Sequence, residues 1–217
     1  MKILNLYACL GGNRYKWDEV TDVDVTAVEW DEDLAKLYQE RFPNDKVIVA
    51  DAHQYLLDHY KEFDFIWSSP PCPSHSRVRF SQKNRDSFKS LYPDMKLYEE
   101  IIFLENYFDG KYCVENVIPY YKPLIAAQKR GRHLYWTNFN LPSSLNERKY
   151  PKNWIKGRSK PVEDFHQIDL STYKGSQRKD KLACNLVDYE AGRTILETAV
   201  GITRKENVKQ KSIFDEC

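Results

Sequence analysis

Long apolar runs are absent from this chain of 217 residues. No stretch approaches the roughly 18 consecutive apolar residues that mark a membrane-spanning helix, and the first residues are interrupted too soon for a signal peptide. Apolar side chains still make up 41% of the sequence, which is enough for one domain with a modest appendage. We therefore expect a globular protein with no membrane partner.

Paired cysteines are also absent. The five cysteines stand at positions 9, 72, 113, 184 and 217, and no two of them form a Cys-x-x-Cys pair. This spacing argues against a disulfide framework and against a structural zinc site. It is typical of a protein from a reducing cytoplasm, and we expect no bound metal.

Two nucleotide-binding fingerprints are missing as well. The chain has no G-x-G-x-x-G segment, which disfavours a nicotinamide or flavin enzyme. It has no G-x-x-x-x-G-K-[S/T] segment, which disfavours a nucleoside triphosphatase. Internal repeats are not visible either.

What the chain does have is an alternation of strand-like and helical segments. Helices are predicted over residues 32–41, over 55–60, from Pro93-Asp94 through Phe108 with Gly110 beyond the end, and near 189–199. Strands are predicted over residues 2–7, 23–28, 47–50, 63–67 and 111–114. This order predicts an α/β fold with a mostly parallel sheet and right-handed crossovers. Residues 138–182 are rich in Lys, Asn, Ser and Pro and predict a loop-rich insert.

The segment Ser69-Pro70-Pro71-Cys72 follows the fourth predicted strand. Because two prolines cannot continue a central strand, Cys72 is expected on a stiff turn at a strand's carboxyl end, where open α/β sheets bind ligands. A second strand-like run, Val114-Glu115-Asn116-Val117, ends on a carboxylate and an amide. A thiol and a carboxylic acid on neighbouring strand ends suit nucleophile and acid chemistry. The alternatives are that Cys72 is a small buried packing residue and that Glu115 is only a surface cap.

Three other strand ends carry residues that suit a nucleoside. Gly11-Gly12 allows close backbone approach, Glu29 can accept from ribose hydroxyls beside the flat ring of Trp30, and Asp51 can accept from an adenine amino group. Singly, these residues are also explained as a turn or as helix caps. Together they predict an adenosyl cofactor at the carboxyl edge of the sheet.

Charge is unevenly distributed despite a net charge of +1. Residues 1–70 hold 14 acidic and 7 basic side chains, whereas residues 77–96 hold six basic and two acidic ones. Residues 151–181 hold eight basic and four acidic ones. The two basic segments suit a polyanion such as nucleic acid, although loops with solvated Lys and Arg have the same composition.

Four motifs in this order resemble those of the DNA cytosine-5 methyltransferases. They are Asn5-Leu6-Tyr7-Ala8-Cys9-Leu10-Gly11-Gly12, Pro71-Cys72, Glu115-Asn116-Val117 and Gln128-Lys129-Arg130-Gly131-Arg132. The resemblance covers residues 2–137 and implies a Rossmann-like, S-adenosylmethionine-dependent methyltransferase fold. It implies that the chain methylates C5 of cytosine in duplex DNA, on a base flipped out of the stack.

The resemblance also implies a role for each matching residue. Cys72 is similar to the nucleophile that adds to C6, and Glu115 to the acid at N3, with Asn116 supporting its turn. Arg130 and Arg132 resemble the arginines that hold the base and favour the thiolate. Cofactor contacts are expected from Tyr7, Ala8, Gly11, Gly12, Glu29, Trp30, Asp51 and Pro70. DNA contacts are expected from Ser76, Arg77, Arg79, Lys83 and Arg85.

The domain expectations follow the same resemblance. Residues 1–137 are expected to form the catalytic and cofactor-binding domain, 138–182 a small target-recognition insert, and 183–217 a helix that returns to the catalytic domain. The family suggests a bacterial or viral cytoplasmic protein, with or without a restriction enzyme as partner.

Three departures from the family pattern are visible. Asn5 stands where the family has Asp, and Cys9 where it has its first Gly. The interval between Val117 and Gln128 is short, so we expect either a missing sheet strand or a displaced match at Gln128.

Three other functions are compatible with these motifs. A transfer RNA cytosine-5 methyltransferase shares them, and a methyltransferase fold that only binds DNA would keep the sheet. A thymidylate-synthase-like enzyme also adds a cysteine to a pyrimidine C6, but Glu29 and Asp51 favour an adenosyl cofactor over a folate.

Overall fold

The computed structural model describes residues 1–77, 91–151 and 159–202. Seven strands are present: β1 Lys2–Leu6, β2 Asp24–Glu29, β3 Lys46–Val49, β4 Phe65–Ser68, β5 Lys111–Val117, β6 Gln128–Arg130 and β7 His133–Thr137. Six helices accompany them: α1 Glu32–Arg41, α2 Ala52–His59, α3 Lys96–Tyr107, α4 Lys160–His166, α5 Lys179–Cys184 and α6 Tyr189–Ala199. Two 3-10 segments cover Asn13–Glu19 and Tyr60–Glu62.

All seven strands form one sheet, in the order β3-β2-β1-β4-β5-β7-β6. The first five run parallel, and β7 runs antiparallel to both β5 and β6. The chain moves outward from β1 to β3 and then restarts on the other side of β1 with β4. The carboxyl ends of β1 and β4 therefore flank the point where the strand order reverses, which is where such sheets bind ligands. The prediction of a mostly parallel α/β sheet is confirmed.

The sheet itself is not short of a strand, because Gln128–Arg130 forms the edge strand β6. The interval of residues 118–127, all of them described, contains neither a helix nor a strand, only bends, irregular chain and the isolated bridge of Pro119. The other alternative, a displaced match at Gln128, stays a prediction. A ten-residue path suffices here because β5 and β6 are separated only by the width of β7.

Each face of the sheet packs against its own set of helices. Alternate residues of a strand point to opposite faces, so Leu4 packs with α2 and α3 while its neighbour Ile3 packs with Trp17 and α6. Both Ile3 and Leu4 are fully buried. The central strands are hydrophobic on both sides, as a covered parallel sheet requires.

Local sequence explains the boundaries of α1. Asp31 caps it, because its carboxylate accepts hydrogen bonds from the amides of Asp33 and Leu34. Leu34 and Tyr38 lie one turn apart and are buried. Pro43 follows the last turn.

The insert contains two short helices, α4 and α5, as well as loops. Its apolar side chains share a cluster with Leu10 and Leu34 of the first half of the chain; those from the insert include Val162, Leu170, Tyr173 and Leu182. The hydroxyl of Tyr173 also donates to Asp31 over 2.9 Å. The insert is thus packed against the loop after β1 and against α1. Among the described residues, no helix is long and apolar enough to cross a membrane.

Candidate active site

Cys72 begins a tight turn just after β4. Its carbonyl oxygen accepts hydrogen bonds from the amides of His75 and Ser76, both at 3.0 Å. Ahead of it, the carbonyl oxygen of Pro70 accepts from the Asn116 side-chain amide at 2.9 Å. The turn is therefore held at both ends, as the two prolines predicted, and Asn116 supports the turn of Cys72 as well as its own strand.

Glu115 lies inside β5 rather than after its end, since the strand continues to Val117. It is opposite Tyr135 of β7, and its side chain is 7% exposed. His133 lies beside it, with Nε2 3.8 Å from Glu115 Oε1. The antiparallel strand β7 thus forms one wall around the carboxylate.

Cys72 and Glu115 influence each other electrostatically. Burial raises the pKa of the Cys72 thiol, and the negative charge of Glu115 raises it further. The ammonium group of Lys181, on α5 of the insert, acts in the opposite direction. The structure therefore brings together the thiol and the acid that the sequence predicted, and it adds a lysine that no motif indicated.

The two arginines of the fourth motif have different surroundings. The guanidinium of Arg130 donates to the carbonyl oxygens of Leu141 and Pro142 and so ties β6 to the following loop. Arg132 is exposed, with its guanidinium 4.7 Å from the ring centroid of Tyr150. Their predicted contact with a base remains a prediction.

A cleft at the carboxyl ends of β1 to β4 gathers several of the predicted cofactor residues. This cofactor cleft is lined by Tyr7, Val28, Trp30, Ala50, Asp51, Ala52, Pro71, Asp94 and Lys96. Trp30 is 64% exposed and presents its ring to the cleft. Asp51 caps α2 through Gln54 and also faces Lys96, whose Nζ lies 3.4 Å from Asp51 Oδ2. The cap explanation and the ligand explanation of Asp51 are thus compatible.

Glu29 lies beneath the cleft, with only 4% exposure. Its two carboxylate oxygens accept from the backbone amides of Cys9 at 2.8 Å and Asp31 at 3.0 Å. Burial nevertheless raises the pKa of Glu29. Each oxygen keeps a second lone pair, so Glu29 orders the loop after β1 and retains acceptor capacity.

Close packing explains why glycine occupies positions 11 and 12 of the first motif. Gly11 has a φ of +64°, and a Cβ there would lie 2.4 Å from the ring of Phe42. A Cβ on Gly12 would lie 2.5 Å from the carbonyl oxygen of Val187. Ala8 and Pro70 are buried at the two strand ends.

Glu100 is a functional candidate that the sequence analysis missed. It is fully buried on α3 and accepts from Tyr7 Oη at 2.6 Å and from Ser68 Oγ at 2.5 Å. His53 Nδ1 lies 3.1 Å away, and this contact raises the pKa of His53. Glu100 thereby joins the ends of β1 and β4 below the cleft. A carboxylate in an otherwise apolar helix face was the available signal.

The predicted DNA-contacting residues fall in two groups. Ser76 forms an isolated bridge with Pro119, and the exposed Arg77 reaches the carbonyl oxygen of Pro119 at 3.4 Å. Arg79, Lys83 and Arg85 lie outside the described residues.

Comparison with known proteins agrees with this architecture. Residues 1–106 match the family model described as C-5 cytosine-specific DNA methylase. The methyltransferase EhMeth of Entamoeba histolytica has a similar structure over 94% of this chain and 99% of its own, with a TM-score of 0.52 and 9% identity. DNMT2 of Spodoptera frugiperda is 25% identical over 54% of this chain and 35% of its own, with a TM-score of 0.37. The search of curated proteins found no match. The predicted Rossmann-like methyltransferase fold is confirmed.

Proposed function

We propose that this chain methylates C5 of cytosine in DNA through a covalent adduct with Cys72, in line with the match of residues 1–106 to the C-5 cytosine-specific DNA methylase family. That match makes S-adenosylmethionine the methyl donor. The observation that carries the proposal is the placement of Cys72 in the turn after β4 and of Glu115 within the neighbouring strand β5, where the charge of Glu115 raises the pKa of the thiol.

The cofactor cleft suits an adenosyl group. The exposed ring of Trp30 offers a flat stacking surface, and hydrogen bonding to Gln54 lowers the pKa of Asp51, which keeps this acceptor ionised. Pro71, one residue before Cys72, lines the same cleft. A molecule in the cleft therefore lies next to the turn of the nucleophile. When bound, S-adenosylmethionine supplies an electrophilic methyl group.

The coupling of Cys72 and Glu115 links the ionisation of one group to the charge of the other. Two neighbouring negative charges repel, so a proton on Glu115 makes it easier for Cys72 to lose its own. The pair that the reaction uses is a thiolate with a protonated carboxyl group. This pair is a nucleophile and an acid in the same site.

Addition to the ring uses both members of the pair. Cys72 Sγ forms a bond to C6 of the cytosine, and the displaced electron pair makes C5 nucleophilic while Glu115 donates its proton to N3. After C5 has gained the methyl group, a solvent water molecule acts as the base that accepts the C5 proton, and the electron pair of the C–H bond restores the C5–C6 double bond. The Sγ–C6 bond then breaks, the electron pair returns to sulfur, and N3 returns its proton to Glu115.

A cytosine inside a duplex does not reach a half-buried thiol. The base must leave the stack, which requires contacts with the DNA backbone while it is extruded. Two features support nucleic acid as the substrate: the basic composition of residues 77–96 and the exposed guanidinium of Arg132.

Trapping with 5-fluorocytosine tests the proposal directly. Fluorine at C5 cannot leave as a proton, so the enzyme remains bonded to the base after methyl transfer. We expect wild type with S-adenosylmethionine to form a denaturation-resistant adduct with a random-sequence DNA duplex that contains 5-fluorocytosine. Cys72→Ser is expected to form none.

The matched control is Cys184→Ser, which alters another half-buried cysteine and is expected to keep the adduct. Transfer RNA that contains 5-fluorocytosine is tested in parallel. An adduct with transfer RNA alone would change the substrate to RNA. No adduct with either nucleic acid, or an adduct that persists in Cys72→Ser, would overturn the mechanism.

A further inference from the structure

A second cavity lies between β7, the insert and the start of α6. This polar pocket has a volume of about 200 Å³, and its polar lining residues include Arg132, His133, Glu147, Arg148, Tyr150 and His166. A cavity of about 150 Å³ is enough to hold a benzene-sized ring. The polar pocket therefore has room for one small heterocycle.

Several buried polar atoms in this pocket have no hydrogen-bond partner among the residues that the structure describes. His166 is 2% exposed, and within the described parts of the chain neither of its ring nitrogens has a hydrogen-bond partner. The same holds, among those residues, for Arg148 Nη2 and His133 Nδ1. Buried polar atoms in native proteins are nearly always paired. A cluster of unpaired ones around a cavity points to a ligand.

The charges around the pocket favour a neutral ligand over an anion. Arg148 is already paired with Asp188 over 2.9 Å, and Glu147 adds a second carboxylate. Burial and the nearby arginines 148, 41 and 132 lower the pKa of His166 to about 3, so its ring is neutral. The guanidinium groups of Arg132 and Arg148 are matched in number by the carboxylates of Glu147 and Asp188, so the pocket has no net positive charge with which to hold a phosphate.

The hydrogen-bonding groups that face the polar pocket include both donors and acceptors. Arg148 Nη2 is a donor, Glu147 Oε1 is an acceptor without a partner among the described residues, and a neutral imidazole such as His166 has one donor and one acceptor nitrogen. The edge of a nucleobase also combines donors and acceptors on a flat ring. The lining and the edge of a base are therefore complementary.

His133 links this pocket to the proposed catalytic centre. Its Nε2 lies 3.8 Å from Glu115 Oε1, and its Nδ1 lies 3.9 Å from Glu147 Oε1. One imidazole thus separates the acid at the reacting base from the polar pocket.

We propose that the polar pocket binds the edge of one further nucleobase of the substrate strand, distinct from the cytosine that reacts. This inference rests on the proposed function, because it assigns to the insert the reading of a base near the target. His166, Arg148 and Glu147 are the residues that select the base.

The first test does not need activity. Each of the four deoxynucleosides is added at millimolar concentration to the full chain, and the histidine ring protons are followed by NMR, with His166 assigned through His166→Gln. We expect one nucleoside to shift the His166 signals more than the other three do. His59→Leu alters an exposed histidine on α2 and is expected to leave that response intact. If no nucleoside shifts the His166 signals, the proposal is overturned.

The second test uses the 5-fluorocytosine duplex pool. Sequencing the trapped DNA is expected to reveal a preference of about tenfold or more at one position near the adduct. His166→Leu should bring that preference close to parity while the adduct still forms, and His166→Gln, which keeps one donor and one acceptor, should retain part of it. An unchanged preference in His166→Leu contradicts the proposal. If wild type forms no adduct, the proposed function fails, and the nucleoside titration still decides the nature of the pocket.

Discussion

The cofactor cleft and the polar pocket both have buried charged or polar side chains, but the two sites differ in whether those side chains are hydrogen-bonded. Beneath the cleft, Glu29 accepts from two backbone amides and Glu100 accepts from two hydroxyls and faces His53. In the pocket, His166 and Arg148 keep atoms that have no partner among the described residues. The cleft is internally satisfied, whereas the pocket is not.

This difference shows how one fold prepares two kinds of binding. Groups that already hold each other keep the backbone of a site in place before its ligand arrives. Groups left unpaired destabilise the free protein and gain most when a ligand pairs them. The cleft is thus built for constant shape, and the pocket for discrimination among ligands.

The largest expected effect comes from removing the Glu100 carboxylate, whose hydrogen bonds lie beneath the cofactor cleft. Glu100→Leu would leave two buried hydroxyls and a histidine without their acceptor, so the free energy of unfolding should fall by about 3 kcal/mol or more. Urea denaturation measures this, and calorimetry should show weaker binding of S-adenosylmethionine. Glu99→Leu, at the exposed neighbour, should stay within about 0.5 kcal/mol of wild type. Equal stability of the two variants would contradict the comparison.

The next effect concerns the contact that joins the two regions. Gly12→Ala places a Cβ 2.5 Å from the Val187 carbonyl, and Leu186, the preceding residue, lines the polar pocket. Backbone cannot yield as a side chain can, so we expect a loss of about 1–3 kcal/mol and weaker cofactor binding by calorimetry. Gly201→Ala has strained backbone but open space, and it should leave cofactor binding unchanged. Unchanged binding in Gly12→Ala would show that the regions are independent.

The unpaired ring of His166 in the polar pocket should make the stability of the protein sensitive to acid. The pKa of His166 is about 3 in the folded protein, below the value of about 6.5 in an unfolded chain. The unfolded state therefore takes up a proton between these values, and stability falls as the pH is lowered through this window. Between pH 7 and 5.5, wild type should lose about 1 kcal/mol more than His166→Leu in urea denaturation.

At pH 7, His166→Leu should be nearly neutral or stabilising, because it removes unpaired polar atoms instead of stranding their partners. This is the opposite of the result for Glu100→Leu. Parallel acid curves for wild type and His166→Leu would mean that the ring is paired in solution.

The smallest effect lies between the two regions, at Cys72. Glu115→Gln removes a negative charge that raises the thiol pKa, so the pH dependence of Cys72 alkylation by iodoacetamide should move to lower pH. Lys181→Gln should move it to higher pH. Mass spectrometry of the Cys72 peptide follows the rate. Shifts in the same direction for both variants would refute the proposed coupling.

Prediction from sequence was best where the determining contacts are local. The boundaries of α1 follow from the Asp31 cap and the spacing of Leu34 and Tyr38, and the turn of Cys72 follows from two prolines. All of these interactions span a few residues. The five parallel strands were located to within about three residues at each end because their apolar runs are continuous and end on turn residues.

Prediction was poorer where distant residues meet. The hydrogen bond of Tyr7 with Glu100 and the electrostatic effect of Lys181 on the pKa of Cys72 involve residues far apart in the chain. The edge strand β6 was not predicted, because its three residues are too few to show a strand pattern in the sequence. The helices of the insert, α4 and α5, are also short and weakly periodic.

The sequence by itself determined the α/β alternation, the stiff turn that carries Cys72 and the resemblance of residues 1–106 to the C-5 cytosine-specific DNA methylase family, because these depend on neighbouring residues. Only the tertiary structure decided that the charge of Glu115 acts on Cys72, that Glu100 supports the cofactor cleft, and that the insert and β7 enclose a pocket whose polar atoms lack partners among the described residues. Burial and Coulomb interactions depend on distance in space, which no single segment of the chain encodes.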